Sequence, residues 1–157
     1  MRYMHLTNMT SSTKDHGWRL SGARLPEKEG RAYQGNERTI ESFHNVIKEG
    51  GITRACLVSL ADIITRAREN LETSELFSRH NLYGSSFLVI FDPPTSRVYG
   101  KIIDVRVMVE RPEPVTNHRL SKAEIPIEAD CAADGYFTAL DNFADYCRHM
   151  KLEGEEP

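Results

Sequence analysis

Three cysteines, Cys56, Cys131 and Cys147, are odd in number and widely spaced. With no CxxC pair and no Cys/His ligand spacing, neither a disulfide framework nor a zinc site is expected. No apolar run approaches the ~20 residues that a membrane span needs. The opening MRYMHLTNMTSSTK lacks the apolar core of a signal peptide. Positive charge is not in excess: the formal net charge is −3, which argues against general nucleic-acid binding. Repeats, low-complexity blocks, a P-loop, GxGxxG, a GxSxG elbow and a Ser/His/Asp order are all missing. These absences leave a reducing, cytosolic or nuclear setting as the expectation. What is present is a chain of 157 residues, 39% hydrophobic and 27% charged, enough for one packed domain and too apolar for wholesale disorder.

The spacing predicts a short strand, three helices and a hairpin. Trp18 and Leu20 in GWRLSGAR (17–24) alternate as in a short strand. Thr39 caps a helix through Lys48, with Ile40, Phe43, Val46 and Ile47 on its inner face and Gly50-Gly51 as its stop. Thr53 opens a longer helix to about Leu71, lined by Leu57, Leu60, Ala61 and Ile64. Leu76-Phe77 caps the core. Phe87–Phe91 reads as a strand covered on both faces, DPPTS (92–96) as a turn, and Val98–Val109 as containing the return strand. Residues 110–133 read as a long irregular loop, a class that is often functional. Residues 134–150 read as a last helix with Phe137, Leu140, Phe143, Ala144 and Cys147 inward, before a solvated tail, 151–157. The fold class expected is α+β.

Asp104 stands where an apolar strand ends. Two readings fit it. One is an ordinary turn carboxylate. The other is a Mg²⁺ ligand, since phosphoryl-transfer sites hold that ion with one or two carboxylates plus substrate phosphates. Ser86, at the matching end of the partner strand, is either a backbone-bonding hydroxyl or a second oxygen near the same metal. Arg19, Arg38 and Lys14 are either solvated surface or phosphate contacts, which arginine suits through its bidentate fork. Ser11-Ser12-Thr13 beside Lys14 reads as a phosphate loop or a linker. Trp18 is a site wall or a structural aromatic, Cys147 a core residue, and His16 and His80 are not spaced as a metal pair.

Four segments, in order, resemble the inositol polyphosphate kinases, in particular inositol 1,4,5-trisphosphate 3-kinases. They are RYMHLTNMTSSTKDHGWRLSGAR, ELFSRHNLYGSSFLVIFD, KIIDV and DGYFTALDNF. The resemblance runs from Arg2 to about Met150. It implies a kinase C-terminal lobe over 1–150, antiparallel strands flanked by helices, with the N-terminal lobe absent. It further implies ATP and Mg²⁺ as cofactors and an inositol phosphate as substrate. Ser12, Thr13, Lys14, Gly17 and Arg19 fall in the segment that contributes to the inositol phosphate site, with Arg19 on a phosphate. Arg38 stands for a nucleotide-binding lysine. Asp104 holds Mg²⁺ and ATP, and Ser86 lies near that metal. The 134–143 helix is mainly structural.

The chain also departs from the family pattern. Where the family has Asp-Phe-Gly-Lys, this sequence has Asp104-Val105-Arg106-Val107, so the substrate-touching lysine is replaced by Val107. Arg106 is next to it, but adjacent side chains of a strand point to opposite faces, so the sequence does not assign Arg106 the lysine's role. The Pro-Asp-x-Lys-x-Gly motif, which supplies a catalytic aspartate, is missing, as is the helical insert through which relatives bind calmodulin. The expected activity is therefore ATP-dependent phosphorylation of an inositol phosphate, with this chain a fragment or truncated form. The alternative is an inactive inositol-phosphate-binding or protein-interaction module.

Overall fold

The computed structural model describes residues 16–25, 40–83, 85–105, 107–110 and 136–152. Helix α1 spans Ile40–Glu49 and α2 spans Arg54–Glu72. A single turn, α3, covers Glu75–Ser78 and leads into β1, His80–Tyr83. Strands β2, Ser86–Asp92, and β3, Arg97–Ile103, follow, then β4, Val107–Glu110, and the last helix α4, Tyr136–His149. The architecture is α+β. Two separate antiparallel pairs, β1 with β4 and β2 with β3, lie with the helices.

The local causes are visible at the helix ends. The Ile52 N–H donates to the Ile47 carbonyl at 3.0 Å and the Gly51 N–H to Lys48 at 3.1 Å. Gly51 has φ 61°, so α1 closes on a Schellman turn whose left-handed residue is best a glycine. Thr53 then caps α2 by accepting from the Cys56 N–H at 3.3 Å. The Thr39 cap and the loop expected over 110–133 lie essentially outside the described residues.

Helices α2 and α4 pack on each other, and α2 also carries β3. Ile47, Cys56, Leu57, Leu60, Ile64 and Cys147 are fully enclosed. Each such aliphatic side chain contributes about 1.5–3 kcal/mol through removal from water. Arg54 ties the two helices together at one end. Its guanidinium donates to the carbonyls of Arg148, at 3.2 Å, and of Met150, supplying partners for carbonyls that a helix terminus leaves without them.

Three expectations are corrected. Residues 17–24 form only a single β-bridge, at Ala23, and no continuous strand; Trp18 packs against Phe43, Phe143 and Tyr146. Strand β2 is covered on one face only, because Leu88 and Ile90 are 46% and 55% exposed and α2 lies against the other side. Leu76 and Phe77 part company: Phe77 is buried and Leu76 faces solvent.

Candidate functional site

The hairpin defines the site's frame. Asp92 pairs with Arg97 at the turn and Ser86 pairs with Ile103 at the other end. Asp104 follows Ile103 directly, so Ser86 and Asp104 are brought to the same end of the β2–β3 ladder. Asp104 is exposed and adopts φ 58°. A non-glycine residue in the left-handed region is uncommon, aspartate is among the residues that tolerate it best, and such conformations concentrate at functional sites. This kink ends β3. The chain then leaves the first ladder, and Val107–Glu110 pairs instead with His80–Tyr83. Asp104 sits at the junction between the two sheets.

The N-terminal segment lies against α4. Gly17 has φ 78°, and a Cβ there would lie 3.2 Å from Ala139 Cα, so its smallness lets the chain lie flat on α4. Asn142 holds the segment by donating to the His16 carbonyl at 3.2 Å. Arg19, half-buried, follows Trp18 in the same run. On the hairpin side, Ser85 donates to the Tyr136 hydroxyl at 3.1 Å. Gly17 and Ser85 therefore both approach α4 within its first turn or so, at Ala139 and Tyr136, and α4 is a shared wall for the 16–19 segment and Ser85. Ser12, Thr13, Lys14 and Arg38 lie outside the described residues. Sequence reasoning missed the Ser85–Tyr136 link; its signal was a serine pair opposite an aromatic in DGY, which spacing alone cannot join.

Behind this wall the core is tightly closed. His44 hydrogen-bonds Tyr146, and Trp18 stands edge-on to the Tyr146 ring. Burial raises the Tyr146 hydroxyl above its ordinary value, with Cys147 adding to the rise. Burial pushes the Cys147 thiol up to about 12, against a smaller opposing pull from Arg148. The thiol is therefore a core group and not a nucleophile.

Among the described residues no cluster of three or more His, Cys, Asp or Glu could hold a metal by itself. A site of one carboxylate and one hydroxyl, both hard oxygen donors, fits Mg²⁺, which keeps waters and binds through one or two protein oxygens plus phosphates. No helix among the described residues is long and apolar enough to cross a membrane.

Comparison with known proteins agrees with the sequence pattern. No protein-family model matches the chain. An inositol-trisphosphate 3-kinase homolog of Caenorhabditis elegans is 27% identical over 159 residues, covering 100% of the chain and 31% of that protein. Inositol-trisphosphate 3-kinase C is 30% identical in Mus musculus and 32% in Homo sapiens, each over 90% of the chain and 20% of the relative. Over 90–100% of its length the chain is similar to inositol-trisphosphate 3-kinases. It spans less than a third of the length of each of these relatives.

Proposed function

We propose that this chain is the C-terminal-lobe part of a kinase that moves the γ-phosphoryl group of ATP to a hydroxyl of an inositol phosphate. The observation that carries the reading is Asp104: an exposed carboxylate with φ 58°, level with Ser86 at one end of a paired hairpin. Asp104 and Ser86 would hold Mg²⁺, which when bound neutralises charge on the nucleotide phosphates. Arg38 would contribute to nucleotide binding. Gly17 lets the 16–19 segment approach α4 closely, and Arg19 with Lys14, Ser12 and Thr13 would orient the substrate's phosphates. Work of this kind is mostly positioning and electrostatics. The test is phosphorylation of inositol trisphosphate by MgATP in the longest protein containing this chain. Asp104→Asn should lower kcat by at least 10²-fold, the scale for loss of one key electrostatic group; an unchanged kcat removes Asp104 from the mechanism.

A second reading is favoured by the residues after Asp104. Val105 and Val107 stand where relatives carry Phe and Lys, and Val105 is 46% exposed. A chain altered there would bind an inositol phosphate without turning it over. Calorimetry separates the two: heat with inositol trisphosphate and none with MgATP supports binding alone.

A further inference from the structure

At the turn end of the hairpin, the end away from Asp104, a second concave site opens. Ser59, Asp62 and Arg66 of α2 and residues 96–99 along the unpaired edge of β3 border a cleft of about 410 Å³. The helical spacing puts Ser59, Asp62 and Arg66 on one face of α2. Residues 100–103 of β3 separate Tyr99 at the cleft from Asp104, roughly 16 Å at the strand rise of ~3.3 Å per residue. It is therefore distinct from the candidate kinase site.

The charges in the cleft are unequally matched. Asp62, its acidic group, lies 3.6 Å from Arg148 Nη2. Asp92, across the ladder from Arg97, accepts from the Thr95 hydroxyl. Arg66 and Arg97 are exposed, and among the described residues neither forms an ion pair. Two guanidinium groups on separate rigid elements thus border one recess whose carboxylate is already engaged, and the Ser59 and Ser96 hydroxyls add neutral donors. Guanidinium forks match the oxygens of a phosphate in pairs, and charge-assisted contacts of this kind are the stronger hydrogen bonds. The volume falls within the range of small-ligand sites.

We propose that this cleft binds a small soluble phosphomonoester, clamped between Arg66 and Arg97. The proposal does not depend on the kinase reading. Its test is a titration of the 157-residue chain with inorganic phosphate, exchanged for chloride at constant ionic strength and followed by backbone amide shifts. Saturable shifts at Ser96, Arg97 and the α2 residues around Arg66 are expected. Arg66→Gln and Arg97→Gln should each weaken binding roughly tenfold, the worth of one charge-assisted contact, with unchanged unfolding midpoints because both side chains are exposed. Asp62→Asn should bind at least as well as the parent. Glycerol phosphate should shift the same amides. Shifts confined to Gly17–Arg19 and Asp104, no saturable shift, or affinity unchanged from the parent in both arginine variants would overturn the site. Capture by phosphatidate vesicles without any response to glycerol phosphate would overturn its assignment to a soluble ligand.

Discussion

At the scale of single residues, Asp104 and Cys147 show how surroundings decide chemistry. Asp104 holds φ 58° in the open. A β-carbon without a polar side chain is disfavoured there by ~1–2 kcal/mol. Asp104→Ala should therefore be less stable than Asp104→Gly by about 1 kcal/mol in urea unfolding, and equal stability would deny the conformation. Cys147 is the opposite case, a thiol kept neutral by burial, its pKa pushed up to about 12 from an ordinary value of 9.0. Between those two values the unfolded chain holds fewer protons than the folded one. Its contribution is thus fully present below pH ~9 and falls as pH rises, by at most ~1.4 kcal/mol per pH unit. Unfolding free energy measured across this range should decline less steeply in Cys147→Ala than in the parent, and parallel profiles would place the effect elsewhere.

At the scale of elements, packing sets the tolerances. Gly100 sits in β3 where α2 presses on the sheet, and an added Cβ would meet Phe87 Cε1 at 2.6 Å and Ile63 Cγ2 at 2.8 Å. Gly100→Ala should cost about 1–3 kcal/mol through overpacking, read as a lower urea midpoint with an unchanged slope; a neutral result would mean that the α2–β3 contact is loose. The helices were legible because glycine and threonine stops bracket apolar positions at helical spacing: Gly51 and Thr53 lie where α1 ends and α2 begins. The DPPTS turn was legible from its prolines. What sequence could not supply was partnership across distance. The span Val98–Val109 is expected to contain the return strand, but nothing in it marks the kink at Asp104 that ends that ladder and redirects the chain to β1. Likewise, continuous apolarity in β2 suggested two covered faces, and only the position of α2 shows that one is open.

At the scale of the whole molecule, the open face of the β2–β3 pair carries Leu88, Ile90 and Tyr99, from 46% to 58% exposed. Contiguous apolar surface favours association. Ile90→Lys should change stability by no more than about 0.5 kcal/mol, as exposed substitutions do, while raising the concentration at which the chain stays monomeric in sedimentation. A large loss of stability would show that this face is packed. The candidate site was legible in part: Asp104 and Ser86 are brought level by the ladder, as their positions in the hairpin suggested. The convergence of Gly17 and Ser85 on α4 was not, because it depends on a helix more than a hundred residues from one of them in sequence.

The central claim is that Asp104 helps hold a magnesium-bound nucleotide. Calorimetric titration of MgATP into the 157-residue chain and into its Asp104→Asn variant, at matched ionic strength, tests it most directly. The account predicts a binding heat in the parent and an affinity at least roughly tenfold lower in the variant, the loss of one charged contact. Equal affinity in the two, or no binding heat in either, would contradict it.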